Sequence, residues 1–584
     1  MTRAGFFQRV FMRSFKRICI LGFLSLSFCL PEPSPAQSLE AGDRQLLHQQ
    51  ERDRALRQQQ REPDVRLQSV PPPLPAQLMT DESPCFTIRE IQITGDLSER
   101  FAWLARAADE GSLGEPDPVA GRCLGGVGIQ QVIQRMQAAL IRKGLVTTRV
   151  FAEPQDISSG ALRISVIPGR MRSVRFAEGT SSRATLWNAM PLQPGDLLDL
   201  RALEQAIENF KRVPSADADI QLLPAEGKDA LPGDTDVVIR WSQSLPLRLN
   251  LSVDDAGLKS TGRYQGTATL SYDHWWTLND LFYVSFGNAL GGGLHGPRDS
   301  RSRTVHYSVP FREWILSLTN SDWDYSHSTM GRTGLIRYHG SSSNSDVSLG
   351  RVLYRDATRK TSGSVRLWLR DSRNYVDDGE LPQQRRRTAG WEFSLNHREL
   401  LGSAAIDGSL SWRRGTGAAG ALRAAEEPYG EGSSRAGIVR SDITLSLPFR
   451  LNTQSLRYSA GWRAQWNATP LTPQDRFAMG NRYTVRGFDG ESLLIGDRGW
   501  LLRQDIGLSV TALGSELYAG VDTGRVDGQS ATQLAGRQLT GAVIGLRGGS
   551  GSFAWDVFMG QPVSMPAGFR TADTTGGFYV SASF

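Results

Sequence analysis

The sequence predicts α+β modules feeding a transmembrane antiparallel β-barrel, on three observations. From Leu247 onward, short runs alternate apolar and polar residues with a period of two, and no convincing helix interrupts them. The chain closes on Gly577-Phe578-Tyr579-Val580-Ser581-Ala582-Ser583-Phe584, a strand pattern ending on an aromatic. No stretch after residue 30 approaches the ~20 apolar residues of a membrane helix, so a chain that enters a membrane does so by strands.

The N-terminus sets the compartment. Arg3, Arg9, Arg13, Lys16 and Arg17 form a cationic stretch, Ile18 to Leu30 a short apolar one, and Ser34-Pro35-Ala36 a small-residue cleavage site. Residues 1–36 therefore read as a secretory signal peptide. Phe28 stands before Cys29 where a lipidated cysteine needs a small residue. The signal carries five Lys/Arg and one Glu, so removing its net +4 from the chain's +6 leaves about +2, no basis for nucleic-acid binding. Of four cysteines, Cys85 and Cys123 remain after cleavage, and in an exported chain a disulfide is the default pairing.

Residues 37–62 read as a polar helix with a thin apolar stripe of Leu39, Leu46, Leu47 and Leu56. Residues 63–84, with Val70-Pro71-Pro72-Pro73-Leu74-Pro75, read as an extended linker. Globular character starts at Cys85. The first module, 85–168, is expected to hold a strand through Phe86, Ile88, Ile91 and Ile93, a helix over 99–110, a stronger helix over 129–143 stopped by Gly144, and strands at 146–151 and 162–166. The second, 169–244, repeats the plan: a strand beginning at Val174, a helix over 200–211 with Asp199 as N-cap, and strands at 220–222 and 237–241.

In the barrel region, 245–584, Leu247, Leu249, Leu251 and Val253 alternate with Arg248, Asn250 and Ser252, and Val365, Leu367 and Leu369 with Arg366, Trp368 and Arg370. Tyr272, Trp275 and Trp276 cluster at strand ends, as interface girdles do. A long Gly/Asp-rich stretch carries Val485-Arg486-Gly487-Phe488. Gly291 to Gly296 matches a dinucleotide-binding glycine pattern, but no helix follows, so it reads as a loop. No Cys/His metal spacing, phosphate-binding loop or hydrolase elbow is present, so neither cofactor nor catalytic residue is expected.

Five stretches, in order, resemble the outer-membrane transporters of two-partner secretion, the TpsB-like haemolysin and filamentous-haemagglutinin transporters, relatives of the barrel-assembly insertases. Gly144 to Leu162 resembles the end of a first POTRA domain, Leu203 to Ser215 the second, and Asp234-Thr235-Asp236-Val237-Val238 its last strand. Asp254-Asp255-Ala256-Gly257 with Ser260-Thr261-Gly262 resembles the first barrel hairpin, and Val485-Arg486-Gly487-Phe488 the signature of the sixth loop.

The resemblance implies a plug-type helix, a linker, two periplasmic POTRA domains and a barrel of about sixteen strands, each of about 10 residues. It implies ATP-independent export of a large, unfolded TpsA-like exoprotein from a chain itself inserted into outer-membrane lipid by the barrel-assembly machinery. It implies that Arg486 reaches into the barrel to an aspartate, and Leu517-Tyr518-Ala519-Gly520-Val521-Asp522-Thr523-Gly524 nominates Asp522. It also implies a bridge between Cys85 and Cys123. The rival functions are an outer-membrane insertase, which usually carries more POTRA domains, and a porin or uptake receptor, which needs none.

Overall fold

The computed structural model describes residues 45–47, 49, 63–67, 77–79, 82–111, 115–293, 296–332, 334–510 and 514–584. The residues expected to form a signal peptide, 1–36, and most of those expected to form the polar helix, 37–62, lie outside the described residues. Gln45, Leu46, Leu47 and Gln49 are helical and buried.

The first module is built on a sheet of β2 (Glu90–Gly95), β4 (Arg149–Phe151) and β5 (Ala161–Ile167), with β5 central, parallel to β2 and antiparallel to β4. A separate two-stranded ladder joins β1 (Phe86–Thr87) to β3 (Cys123–Leu124). The opening strand is thus split in two. The Ile88 amide bonds Arg122, and the next amide, Arg89, bonds Gly160, so the chain changes partners at that point. The helix expected over 99–110 is likewise two short turns, α1 (Ser98–Phe101) and α2 (Leu104–Ala107). Phe101, Leu104, Ala107 and Ala108 are all buried, and their packing, rather than a single helical period, sets the path.

The main helix, α3 (Gly126–Arg142), lays Val132, Met136 and Leu140 on β5 residues Leu162, Ile164 and Val166. Its first turn is capped from the linker: the amides of Val127 and Gly128 donate to the Glu82 carboxylate at 2.8 and 2.6 Å. Its last turn closes as a Schellman motif, with Gly144 at φ +88° and its amide donating to Ile141 while Leu145 donates to Leu140.

Buried Arg135 pairs with Asp117 at 2.5 Å, and Asp117 also accepts from Leu78 and Arg122, both at 2.9 Å. Burial alone pushes the Asp117 carboxyl up, but its bonds to Arg135 and Leu78 and the charges of Arg135 and Arg122 outweigh it, and the net shift is downward. A depressed carboxylate stabilises the fold in full above its ordinary value of about 4, and that share is lost as pH falls through the folded-state value. The thermal transition of this module is therefore expected to shift down in acid below about pH 4. An Asp117→Asn variant should show a weaker acid dependence.

In the second module, β8 (Asp234–Gln243) is central, parallel to β6 (Arg170–Phe176) and antiparallel to β7 (Ala216–Pro224). Its helix, α4 (Leu200–Phe210), is capped by Asp199, which accepts from Arg201 at 2.8 Å. Leu203, Ala206 and Phe210 pack on Val237, Ile239 and Trp241. β6, β7 and β8 each run longer than the apolar spacing alone marks, because ladder pairing continues past the buried residues.

Sixteen long antiparallel strands, with a two-residue piece at Gly379–Glu380, close a barrel among the described residues. Leu247, Leu249, Leu251 and Val253 face outward and their polar neighbours inward, as the alternation requires. The last strand, Thr575–Ser583, pairs with the first, Leu247–Asp254, and Phe584 exchanges backbone bonds with Leu249 at 2.8 and 3.0 Å. The strands are not uniformly of membrane length. They run from 8 residues in the first to 21 in Leu335–Arg355. In strand Trp314–Met330 the outward Leu316 and Leu318 give way to Asn320, Asp322 and Asp324, so pairing continues beyond the hydrocarbon into water.

The segment expected to be a plain linker is tied down at both ends. Glu204 and Glu208 of α4 accept from the amides of Leu67 and Val65 at 2.8 and 3.0 Å. The same carboxylates face Arg355 and Lys360 of the barrel, the Glu208–Lys360 pair at 2.7 Å. At the other end, Leu78 and Glu82 bind the first module.

Candidate functional site

The long loop between strands Gln454–Asn467 and Arg498–Val510 folds back into the barrel and buries the sequence singled out at its centre. Arg486 is 3 % exposed and Asp522 is fully buried. Arg486 Nε and Nη2 donate to the two Asp522 oxygens, both at 2.7 Å, and its own amide donates to Asp522 Oδ2 at 2.9 Å. Three donors on one carboxylate fix both the guanidinium and the backbone of the loop tip.

A second carboxylate, not singled out by the sequence reading, completes the site: Arg486 Nη2 lies 2.6 Å from Asp505. Asp505 and Asp522 sit on neighbouring strands, Arg498–Val510 and Ser515–Asp527, both facing the lumen. Charged residues at inward positions of late strands are the signal that marks them, but the strand register has to be known before they can be seen as one site. Arg547 joins Asp505 at 3.4 Å and lies over the Tyr518 ring, whose hydroxyl donates to Asp556 at 2.8 Å.

The tip fits only because the wall beneath it is bare. Gly487 takes φ +98°, and a side chain there would strike the Gln561 backbone. A Cβ on Gly560 would sit 2.9 Å from Gly487 Cα, and one on Gly541 would collide with the Arg486 carbonyl. Val485 and Phe488 enter an apolar cluster with Met479, Leu494, Val526 and Leu539, and Phe488 meets Phe569 edge to face at 5.7 Å. Gly541→Val is expected to lift the tip off the wall. Externally added protease should then cut within 468–497 in that variant and spare the parent.

The loop has further anchors. Near its start, Asp475 is 3.3 Å from Arg370 and 3.6 Å from Arg413, and its neighbour Gln474 donates to Ser372 and to Gln45 of the N-terminal helical residues. Closer to the tip, Arg482 pairs with Asp255 of the first hairpin, whose carboxylate also accepts from Phe578 of the last strand at 2.8 Å. A cavity of about 240 Å³ lies among Leu47, Asp255, Arg482, Phe488, Glu491 and Gly576. Far from this site, Cys85 and Cys123 form a disulfide, with Cα atoms 5.3 Å apart, beside the β1–β3 ladder. Among the described residues no cluster of His, Cys, Asp or Glu is arranged to hold a metal.

The comparisons with known proteins agree with this architecture. The family model for haemolysin secretion/activation protein ShlB/FhaC/HecB matches residues 233–548. Models for POTRA domains match 86–169, as the ShlB type, and 170–224. Outer membrane transporter CdiB-2 of Burkholderia pseudomallei is 34 % identical over 89 % of this chain and 90 % of its own length. Hemolysin transporter protein ShlB of Serratia marcescens is 24 % identical over 69 % of this chain and 71 % of its own. The solved structure of CdiB from Acinetobacter baumannii superposes with a TM-score of 0.80 at 29 % identity, covering 94 % of this chain and 100 % of that one. The barrel thus lies in the outer membrane with its two POTRA modules in the periplasm, and the chain belongs to the ShlB/FhaC/HecB family of haemolysin secretion/activation proteins, the transporters of two-partner secretion.

Proposed function

We propose that the chain exports a single large TpsA-like exoprotein, held unfolded, by strand addition to its second POTRA module followed by passage through the barrel. The supporting observation is the position of β7. It pairs with β8 on one side only, among the described residues, and Ser215, just before it, bonds Asp273 at the barrel mouth at 3.3 Å. An extended polypeptide adding to that edge gains main-chain hydrogen bonds without demanding one sequence, and the exposed Leu223 supplies an apolar contact beside it. The edge delivers the chain directly to the lumen.

Folding of the emerged cargo at the cell surface supplies the directional bias, so no nucleotide and no catalytic residue is invoked, and the protein is not an enzyme. The Arg486–Asp522 pair holds the loop tip on the wall, and Gln474, touching both the wall and Gln45, relates the loop to the helical plug. The likeness is greater to the CdiB relatives than to the haemolysin transporter. Barrel-assembly machinery inserts the protein itself, and nucleic acid is no partner.

A photo-crosslinking residue in place of Gln221 on β7 tests the route. A secretion-stalled exoprotein should form an adduct there and none with a probe at Glu178, outside the sheet. Adducts at 178 alone would move the entry site off this edge.

A further inference from the structure

The loop of the second POTRA module between β6 and α4 is bound rigidly to two periplasmic turns of the barrel. Asn188, fully buried, donates to the carbonyls of Leu278 and Pro310 at 2.6 and 3.2 Å and accepts from Asn279 at 3.0 Å. The Arg312 amide donates to Asn188 at 2.6 Å, Arg183 donates to His274 at 2.7 Å, and Asn209 of α4 reaches Arg312 at 2.8 Å. Its position against the barrel rim is therefore fixed.

Yet the residue before Asn188 is a tryptophan left 60 % exposed. Its ring meets Phe311 at 5.8 Å. Phe311 and its hairpin partner Trp314 stand on the outward face at the periplasmic ends of their strands, in the same row as the lipid-facing Leu316 and Leu318. On the adjoining turn, Trp275 and Trp276 are 43 and 63 % exposed, and Trp275 packs edge-on against outward Phe282 at 4.5 Å. Trp187 thus extends the aromatic girdle of the barrel onto the periplasmic module. Arginines accompany the girdle: Arg351 lies over Trp314 at 5.0 Å and Arg312 over Phe311 at 5.6 Å. Amphipathic rings beside cations are the composition that sits at a phospholipid headgroup layer.

We propose that Trp187 is a membrane-docking residue of the second POTRA module, seated among the phospholipid headgroups of the periplasmic leaflet. The bilayer then fixes the module from outside while the hydrogen-bonded turns fix it from within. This sets the tilt of the β7 edge over the lumen.

The test uses the chain from residue 37 onward with Trp187→Cys, Cys85 and Cys123 being bridged, carrying a nitroxide and reconstituted in phosphatidylethanolamine–phosphatidylglycerol vesicles. The label at 187 should collide more often with lipid-soluble oxygen than with a water-soluble nickel chelate, as a label at outward Leu316 does. A ratio matching a label at Leu231, 69 % exposed on the same module, would overturn the proposal. So would protection from both quenchers, which would mean a protein partner. A parallel measurement needs no cysteine: headgroup-proximal brominated lipid should quench less of the total tryptophan emission in Trp187→Phe than in the parent. Equal quenching of the two would contradict the inference.

Discussion

Arg486→Ala is expected to stop secretion of the cognate exoprotein while the barrel still inserts and closes. The substitution removes three side-chain hydrogen bonds that hold the loop on the wall, two to Asp522 and one to Asp505, and leaves fully buried Asp522 with the residue 486 amide and with Arg503 at 3.7 Å. Breaking a buried ion pair from one side costs about 3–5 kcal/mol. That cost falls on the loop and not on the strand ladder, whose sixteen pairings do not involve Arg486. Arg486→Lys is expected to restore little, because a single ammonium cannot span both Asp522 oxygens and Asp505 at once. Asp522→Asn should resemble Arg486→Ala. The check is paired: exoprotein in the medium by immunoblot, and heat-modifiable migration of the barrel from outer membranes. Normal secretion by Arg486→Ala would remove the loop tip from the mechanism, and loss of the barrel itself would make the pair structural.

The second large effect concerns the first POTRA module. Cys85 and Cys123 are separated by 38 residues, and closing a loop of that length restricts the unfolded chain by about 4 kcal/mol in the chain-entropy treatment. The bridge lies beside only a two-residue ladder, β1 with β3, so few other contacts replace it. Replacing both cysteines with serine is expected to lower the unfolding midpoint of the module markedly, and reductant should do the same to the parent. Differential scanning calorimetry of the full chain in detergent reads this directly. An unchanged midpoint would show that α3 and the central sheet carry the module without the bridge.

Much of this fold is legible in the sequence because period and position act together. Leu247 to Val253 alternate so regularly that their outward row could be marked residue by residue, and Asp199 and Gly144 mark helix ends by their own chemistry. What is not legible depends on register. Asp505 stands opposite Gly520 across the ladder, two positions from the Asp522 row, and only that pairing puts both carboxylates beside one guanidinium. Gly541 and Gly560 look like ordinary strand glycines until the loop is laid over them. The linker illustrates another limit. Its amides meet Glu204 and Glu208, buried polar residues whose purpose appears only once the strand end bearing Arg355 is beside them.

The central claim is tested most directly by comparing the proteins released by cells with and without this gene, alongside their outer membranes. The account predicts that one large exported protein disappears from the medium and the cell surface while the other outer-membrane proteins keep their abundance. An unchanged set of released proteins, with many outer-membrane barrels depleted instead, would contradict it and assign the chain to barrel insertion.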